Sequence, residues 1–254
     1  MSIQLNSSIL KAFSILRVFS ERRSEITAKT LADELGLNGI TAHRYLRTLE
    51  RAGALVRVTK GSYRLSFVFV DLAERVTGQR MLAQVLEPII RQAAKELRES
   101  VMATVFETDV IVCLACAHSD REVFVDVRVG ARMEAYCTAH GKLWLAALGD
   151  AELERYLEGV SLTRLSPRTI TDAEALRAEI AEVRRRGHAV NEGEREDGLR
   201  ALAVPVTARN GRMLAGLSVF GPESRMTDAF LQRALERLKQ AACAADLALY
   251  GVAA

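Results

Sequence analysis

The sequence lacks the features that mark membrane-spanning, secreted and nucleotide-binding proteins. It contains no run of about 18 consecutive apolar residues, which excludes a helical membrane span. Its opening, MSIQLNSS, does not have the charged and then apolar layout of a signal peptide. Neither G-x-x-x-x-G-K-S/T nor G-x-G-x-x-G occurs, so no phosphate-binding loop is indicated. We therefore expect a cytoplasmic protein with no bound cofactor.

Cysteine and proline are both scarce, at four residues each. Three of the cysteines have apolar neighbours, which fits reduced, buried thiols better than a disulfide framework. No proline-rich linker, internal repeat or low-complexity run divides the chain. With 254 residues, 49% of them hydrophobic and 26% charged, the chain is expected to fold throughout, as one small and one larger domain.

Positive charge is concentrated at the N-terminal end of the chain. The formal net charge is only +3, but residues 1–65 carry 11 Lys and Arg against 5 Asp and Glu. The remaining residues carry 24 Lys and Arg against 27 Asp and Glu. This asymmetry is the electrostatic footprint expected if the first segment approaches phosphate groups and the rest does not.

Residues 27–52 read as two short helices separated by a turn that contains Gly36. Leu31 and Leu35 mark the apolar face of the first helix. Four apolar residues recur along the second helix at spacings of three and four, namely Ala42, Tyr45, Leu46 and Leu49. The polar residues on its other faces are Thr41, His43, Arg44, Arg47, Thr48 and Arg51. One face that packs and one that presents donors is what a DNA-recognition helix requires.

The flanking segments predict a winged version of this motif. Ser7 or Ser8 can cap a preceding helix, whose apolar stripe is Ile9, Ala12, Phe13, Ile15, Leu16 and Phe19. Residues 54–58 and 62–66 predict a hairpin with a basic tip. The DNA-contacting residues are then expected to be Thr41, His43, Arg44 and Arg47 on the helix, with Lys60 and Arg64 on the hairpin. The alternative is a plain helical bundle in which Arg44 pairs with Glu50 or Glu34.

Beyond residue 66 the pattern predicts a helical linker and then an α+β domain. Helices are expected over 67–77 and 81–98, with a break at Gly78 and the domain boundary near Thr77. Strands are expected over 101–109 and 110–118, with a turn at Thr108 and Asp109. The segment EVFVDVRVG, residues 122–130, alternates strictly and predicts a third strand.

The rest of this domain predicts helices followed by a hairpin and a closing helix. A short apolar helix follows Thr138, another is capped by Asp150, and a third begins with a capping box of Thr171 and Glu174 and ends at Gly187. Strands are expected over 199–207 and 213–220, joined by a turn at Asn210 and Gly211. A last helix over 228–250 is capped by Thr227. This order indicates a largely antiparallel sheet, and a domain of this kind tied to a DNA-binding segment suggests a sensor.

Several landmarks in this order resemble the isocitrate lyase regulator (IclR) family of bacterial transcription factors, from about Ile9 to Gly251. The first are LADELGLNGITAHRYLRTLERAG and the hairpin end GSYRL. The larger domain contributes CTAHGKLWLA, RTITD, RRRGHAVNEGEREDGLRALAVPV and GLSVFGPESRMT. Such an ordered set is far more specific than any single motif.

The resemblance implies an N-terminal winged helix-turn-helix domain over residues 1–66, a helical linker over 67–80 and a C-terminal GAF-like effector domain over 81–254. It implies a homo-oligomer, dimer or tetramer, that binds double-stranded operator DNA. Family members often regulate the catabolism of small organic acids or aromatic compounds. We therefore expect a regulator of catabolic genes that senses a small carboxylic or aromatic acid, and that is not an enzyme.

The resemblance also implies the effector-contacting positions. They fall on Ala139, His140, Asn191, Leu199, Ala201, Ser218 and Phe220, with the helix N-terminus near Ala139 as the natural anion site. His140 and Phe220 are larger than the family's usual residues. The alternative is that His140 packs without a ligand and that Asn191 and Ser218 bond to nearby backbone. Ile40 stands where the family usually has Ser, so a cap or phosphate contact is expected to be missing from the recognition helix.

A metal- or thiol-redox-responsive regulator on the same scaffold is the alternative function. Cys113, Cys116, Cys137 and His140 make up a Cys₃His set that could bind zinc or sense oxidants. Positions three apart in a strand face opposite sides, however, so Cys113 and Cys116 are expected to point apart and no metal site is predicted. An enzyme with Cys137 or Cys116 as nucleophile and His140 as base is weaker still, because neighbouring residue types are not a catalytic geometry.

Overall fold

The computed structural model of the protein describes residues 6–20, 22–76 and 79–251. The chain forms two compact units, Met1–Gly78 and Gln79–Ala254. The domain boundary predicted near Thr77 and the helix break predicted at Gly78 lie outside the described residues.

The described residues of the first unit form four helices and a small sheet. Its elements are α1 (Ser7–Leu16), β1 (Glu25–Thr27), α2 (Ala28–Leu35), α3 (Gly39–Arg51), β2 (Leu55–Thr59), β3 (Ser62–Leu65) and α4 (Val68–Val76). The three strands are antiparallel in the order β1-β3-β2. Strand β1 is too short to show in the sequence pattern, and it adds Ile26 to the core.

Polar caps set where the helices of this unit begin. Asn6, and not Ser7 or Ser8, caps α1, since its side chain accepts the Ser8 and Ile9 amides. Thr27 and Thr30 cap α2 reciprocally, and α2 ends at Gly36 in the left-handed conformation, with φ +62°.

Helix α3, the predicted recognition helix, is also capped, contrary to the expectation drawn from Ile40. The Asn38 side chain accepts the Thr41 amide at 2.8 Å. Asn38 lies two residues before Ile40, so the cap does not depend on a hydroxyl at position 40.

Loss of this cap gives a testable change in stability. We expect Asn38→Ala to destabilise the first unit by about 1 kcal/mol, because the Thr41 amide loses its acceptor. Amide hydrogen exchange across residues 39–51 of the full chain measures the change. Asn38→Ser keeps a capping oxygen and is the control. Equal protection of the α3 amides in Asn38→Ala and the unaltered protein would contradict the capping role.

The core of the first unit is small and centred on α3. Its buried residues are Ile15, Ile26, Leu31, Ala42, Leu46, Leu49, Leu55 and Tyr63. The prediction that Ile9 and Phe13 join this core is wrong, since they are 57% and 59% exposed. They lie on the flank of α1, whereas Ile15 points inward, with Ala12, Leu16 and the following Phe19 partly buried around it.

The second unit is a six-stranded sheet with helices on both faces. Its elements are α5 (Gln79–Leu97), β4 (Ser100–Glu107), β5 (Val110–Ala117), β6 (Arg132–Glu134), α6 (Ala139–Ala147), α7 (Asp150–Gly159), α8 (Ala173–Arg186), β7 (Ala189–Glu192), β8 (Leu199–Thr207), β9 (Met213–Pro222) and α9 (Asp228–Tyr250). All neighbouring strands are antiparallel, in the order β6-β5-β4-β9-β8-β7. No helix in the described ranges is long and apolar enough to cross a membrane.

Alternating strand residues divide between two apolar layers. Val101, Ala103 and Val105 of β4 pack with α5 and α9. Met102 of β4 and Phe220 of β9 point to the opposite face, where they pack with α6, α7 and α8. A cavity bordered by Met102, Met133 and Phe220 lies in this second layer.

The prediction of a strand over 122–130 is wrong. The segment from 118 to 131 is a loop, and the strand that pairs with β5 is β6, Arg132–Glu134. Val125 and Val127 pack against the apolar layer of α6 and α7, while Val123 and Val129 are 71% and 66% exposed. Alternation along the loop therefore reflects one side that packs, and its backbone bonds to β5 only at Gly130 and Ala131.

Two helix caps in the second unit also differ by one residue from the predictions. Helix α7 is preceded by Gly149, so that Asp150 is its first residue. Helix α8 is capped by Asp172, which accepts the Ala175 amide at 2.8 Å, and not by Thr171. The helices capped by Thr138 and Thr227 begin where the sequence predicts.

Candidate functional sites

The recognition helix α3 has two opposite faces. Ala42, Leu46 and Leu49 are buried in the core of the first unit. A stripe of exposed residues lies directly opposite, at spacings of four, three and four, and consists of Ile40, Arg44, Arg47 and Arg51. Three of these four side chains carry a guanidinium group, which can bind phosphate oxygens or guanine.

The six residues predicted to contact DNA are all at the surface of the first unit. His43, Arg44 and Arg47 are exposed on α3, and Thr41 is half-buried in its first turn. Lys60 is exposed at the turn between β2 and β3. Arg64 is exposed on β3, opposite Glu25 on one side and Val56 on the other. The structure thus brings four of them together on α3 and places two on the hairpin.

Arg44 does not make the ion pairs that the alternative interpretation requires. Glu50 instead contacts Arg57 at 3.0 Å and Arg47 at 3.7 Å, and Glu34 contacts Arg23 at 2.6 Å. Within the described part of the chain, Arg44 pairs with no carboxylate. Its guanidinium is therefore available to a ligand outside the chain.

Two further arginines extend this basic surface, and the sequence reasoning did not select them. A surface groove beside α3 is lined by Arg44, Arg47, Thr48, Glu50, Arg51, Ala52 and Arg57. Arg57 comes from β2 and lies over the ring of Tyr63, 5.7 Å from its centroid. Only the turn after α3 brings Arg57 beside the helix, so the local pattern gave no signal for it. Arg51 was visible as the fourth member of the outward stripe.

The second candidate site is a cavity of about 100 Å³ in the second unit. It lies between the start of α6, the sheet, the loop after β7 and the loop before β6. It is lined by Met102, Val125, Val127, Met133, Thr138, Ala139, His140, Asn191, Arg195, Glu196, Leu199, Arg200, Ala201 and Phe220. Six of the seven predicted effector-contacting residues are in this lining, and Ser218 is not.

The local sequence fixes the start of α6 against the rest of the unit. The Thr138 hydroxyl accepts the Gly141 amide at 3.2 Å and donates to the Glu134 carbonyl at 2.7 Å. A β-carbon at Gly141 would lie only 2.1 Å from the Ala135 carbonyl oxygen, so this position requires glycine. The first turn of α6, with its amide groups and positive dipole end, thus faces the cavity.

His140 is the polar group most deeply set in the cavity wall. It is 3% exposed, and neither ring nitrogen has a hydrogen-bond partner among the described residues. Burial, and to a smaller extent the charge of Arg195, lowers the pKa of His140 to about 3. The imidazole is therefore neutral at physiological pH and offers one donor and one acceptor. A buried pair of unmet hydrogen-bonding atoms is costly unless a ligand or water satisfies it.

Asn191 differs from His140 because its side chain is hydrogen-bonded, whereas the Ser218 hydroxyl has no partner among the described residues, so the alternative of a backbone bond is wrong for Ser218. The Asn191 amide donates to the Cys137 carbonyl and accepts the Gly193 amide at 2.9 Å. Asn191 thus makes the local backbone bonds that were the alternative for it, while its side chain forms part of the wall. Ser218 is completely buried, between its strand partners Met102 and Ala203. Phe220, two residues further along β9, takes the wall position.

Charged residues at the cavity were missed by the sequence reasoning. Arg195 and Glu196 lie in the loop between β7 and β8, and Arg200 lies on β8. Arg195 contacts Glu134 at 2.8 Å, and Arg200 contacts Glu192 and Asp228. Both guanidinium groups are therefore ion-paired within the protein, and Glu196 adds a carboxylate to the lining.

The expectation that Cys113 and Cys116 face opposite sides of β5 is wrong. Thr104 of β4 lies opposite Cys113, and Ala103 lies opposite Ala115, so Leu114 is an extra residue in a β-bulge. The bulge turns both cysteines toward the layer of α6 and α7.

The structure does not assemble the Cys₃His set or the proposed nucleophile and base. Within residues 6–20, 22–76 and 79–251, no three His, Cys, Asp or Glu side chains are placed to share a metal ion. Burial, followed by the charge of Glu134, raises the pKa of Cys137 to about 12. Its thiol is therefore protonated at neutral pH, and His140 makes no hydrogen bond to it.

Comparison with family models covers nearly the whole chain. The model described as the IclR helix-turn-helix domain matches residues 8–59. The model described as the bacterial transcriptional regulator IclR C-terminal domain matches residues 74–247. The two matches therefore fall on the two units of the structure.

Individual relatives match over similar lengths. The chain is 30% identical over 243 residues to the HTH-type transcriptional regulator XynR of Escherichia coli (strain K12), covering 95% of this chain and 96% of XynR. It is 32% identical over 237 residues to the HTH-type transcriptional regulator KdgR of the same strain, covering 93% and 90%. Among solved structures, an IclR homolog from Microbacterium hydrocarbonoxydans complexed with 4-hydroxybenzoate is 27% identical with a TM-score of 0.63, covering 96% of this chain and all of that one.

Proposed function

We propose, from the premise that this chain belongs to the IclR family of bacterial transcriptional regulators, that it controls catabolic genes in response to a small organic acid bound at the cavity of the second unit. The first unit binds operator DNA through the outward face of α3 and the β2–β3 hairpin. Binding of the acid changes the affinity for the operator.

The buried, unpartnered His140 carries the effector proposal. A carboxylate or hydroxyl oxygen can accept from one ring nitrogen while a hydroxyl donates to the other. The amide groups and positive dipole end at the start of α6 favour a negative charge on the ligand. The ring of Phe220 and the aliphatic side chains of Val125 and Val127 supply apolar contact.

The size of the cavity narrows the class of acid. Its volume of about 100 Å³ is below the roughly 300–1,000 Å³ of pockets that enclose drug-sized ligands. A short aliphatic hydroxy or keto acid fits such a space better than an aromatic acid does. The 4-hydroxybenzoate in the Microbacterium homolog makes aromatic acids the comparison class for a binding screen.

Operator recognition is proposed to require more than one copy of the chain. A dimer or tetramer presents two recognition helices to two half-sites, whose spacing must match that of the helices. An effector that binds more tightly to the oligomer in one arrangement of its DNA-binding units shifts the population toward that arrangement. This accounts for a response to the acid without a direct contact between effector and DNA.

A thermal-shift screen of the full-length protein against aliphatic and aromatic acids tests this function. At a ligand concentration of 100 times Kd, the free energy of unfolding rises by about 2.7 kcal/mol. This corresponds to an increase in Tm of roughly 5–10 °C for a unit of this size. His140→Phe keeps a ring but removes both nitrogens, and we expect it to abolish the shift. His140→Gln keeps a donor and an acceptor and is expected to retain part of it.

The outcomes of the screen separate the candidate ligands. A hit among short acids that also changes operator affinity supports the proposal, whereas a hit only among aromatic acids corrects the ligand class. A shift that is equal in His140→Phe and the unaltered protein moves the ligand away from His140. If no acid gives a shift and a chelator destabilises the protein, the effector is a metal ion and not an acid.

The β-bulge at Leu114 is the one observation that favours the thiol-based alternative. It places Cys113 and Cys116 on the same side of β5, where an oxidant could act on both. Measuring operator affinity after peroxide treatment, with recovery in dithiothreitol, distinguishes this regulator from one that responds to an acid.

A further inference from the structure

Ile40 is the most exposed large apolar side chain in the described part of the chain. It is 86% exposed, whereas Phe67 and Val123, which come next, are each 71% exposed. It belongs to none of the apolar clusters of the described residues. Isoleucine is also a poorer helix former than leucine, lysine or arginine, so helix propensity does not account for it. The first unit therefore gives no internal reason for an isoleucine here.

The position of Ile40 on α3 is informative. It is the second residue of the helix, and recognition helices contact base edges mainly through their N-terminal residues. Arg44, Arg47 and Arg51 follow it on the same outward stripe, directly opposite the buried face. The preceding residue, Gly39, has no side chain, and a β-carbon built there meets nothing within 4 Å. The end of the helix is therefore open for close approach.

An aliphatic side chain can read only one feature of the major groove. Guanine, adenine and cytosine present acceptors and donors there, and desolvating these groups against isoleucine is unfavourable. Thymine alone adds an apolar group, the 5-methyl carbon, which aliphatic side chains contact in sequence-specific complexes.

We propose that Ile40 is a specificity-determining residue that reads the 5-methyl group of a thymine in each operator half-site. This inference deepens the DNA-binding function and rests on it. The arginines of the same stripe bind phosphates and guanine, while Ile40 selects thymine by apolar contact and by excluding water from the polar edges of the other bases.

The test removes only the methyl group. Operator sites are first selected from random double-stranded DNA with the full-length protein, and each conserved thymine is then replaced by deoxyuridine. We expect one thymine per half-site to be sensitive, with binding about fourfold weaker per half-site, as for the loss of one buried methyl-sized group. In Ile40→Ala, the same deoxyuridine substitution is expected to have no effect. Ile40→Val keeps most of the apolar surface and most of the sensitivity.

A matched control and the remaining outcomes separate a failure of the thymine contact from a failure of DNA binding itself. Val123 is exposed to a similar degree in the second unit, and Val123→Ala is expected to keep the deoxyuridine profile unchanged. If no operator is selected, the DNA-binding function itself fails. If an operator is bound but no deoxyuridine position distinguishes Ile40→Ala from the unaltered protein, the thymine contact is overturned. If Ile40→Ala instead lowers the oligomeric state in sedimentation, Ile40 packs against a second copy.

Discussion

Replacing Lys142 with methionine is expected to destabilise the second unit by about 3–5 kcal/mol. Lys142 is 2% exposed on α6, and its ammonium group lies 2.5 Å from Glu194 and 3.1 Å from Glu179. Glu194 is itself 5% exposed, and burial raises the pKa of its carboxyl group. Without the ammonium group, the Glu194 carboxylate is buried and uncompensated.

Urea denaturation followed by fluorescence measures this effect. The chain contains a single tryptophan, Trp144, which lies two residues after Lys142 on α6. We expect Lys142→Met with Glu194→Gln to recover most of the missing stability, because the uncompensated charge is removed and Glu179 keeps Arg186 as a partner at 2.9 Å. Equal destabilisation in the single and double variants would show that poorer packing, and not charge, is the cause.

An exposed lysine provides the matched control. Lys239 contacts Glu236 at 3.3 Å, and their side chains are 57% and 70% exposed. We expect Lys239→Met to change stability by no more than about 0.5 kcal/mol, since exposed ion pairs are screened by water. The same substitution thus separates a buried ion pair from an exposed one.

The stability deficit of the Lys142→Met protein, which is the free energy of unfolding that it lacks relative to the unaltered protein, is also expected to depend on pH. With Lys142 absent, the folded-state pKa of Glu194 lies further above its unfolded value. The folded protein then binds a proton that the unfolded chain does not bind. Acidification from neutral pH toward the unfolded value therefore reduces the deficit, and a deficit that grows on acidification contradicts this assignment.

The same ion-pair cluster explains part of what the sequence could not predict about the effector site. Lys142 and Glu194 are 52 residues apart, and no local pattern pairs them. Pairing of β7 with β8 brings the loop after β7 to the cavity. The Asn191 side chain accepts the Gly193 amide of this loop, and Glu194 forms the ion pair with Lys142. Strand β7 has only four residues, so its contribution, and with it Arg195 and Glu196, escaped the sequence reasoning.

Helices and long strands were predictable because their signals are local. The apolar spacing of α3 predicted its inward face correctly. The capping residue was predicted wrongly where several capping residues are adjacent, as at Asn6 with Ser7 and at Thr171 with Asp172. The choice between neighbours depends on the angle at which the chain enters the helix.

The predicted directions of the strand side chains were wrong where one extra residue changes the register. A single extra residue, Leu114, brings Cys113 and Cys116 to the same side of β5, whereas strict alternation separates them. Alternation over residues 122–130 likewise predicted a strand, but the segment packs Val125 and Val127 as a loop and bonds to β5 only at its end, through Gly130 and Cys113. Both outcomes depend on contacts with distant strands, which a single segment does not encode.

Replacing Arg44 with alanine is expected to abolish specific operator binding while leaving the fold intact. Arg44 is exposed at the centre of the outward stripe of α3 and has no carboxylate partner within the described residues. The folded chain therefore loses little when its guanidinium is removed, and the melting temperature should not change. A bidentate contact to guanine contributes about 1–3 kcal/mol to sequence discrimination. Each of the two recognition helices in a bound dimer would lose this contribution.

Lys60 on the hairpin provides a contrast on the same surface. Binding to a phosphate carries no sequence information, so Lys60→Ala should weaken operator and unrelated DNA alike. It should also reduce the slope of log affinity against log salt by about one unit for each phosphate that is no longer neutralised. Arg155, exposed on α7 in the second unit, supplies the charge-matched control, and Arg155→Ala should change neither quantity.

Fluorescence anisotropy with labelled operator and unrelated DNA, over a series of salt concentrations, distinguishes these cases. The ratio of operator to unrelated affinity is the decisive quantity, because it cancels the electrostatic contribution shared by both DNAs. A ratio that collapses in Arg44→Ala and is preserved in Lys60→Ala assigns base reading to Arg44. Unchanged operator affinity in Arg44→Ala removes Arg44 from the DNA interface and transfers base reading to the other members of the stripe, Ile40, Arg47 and Arg51.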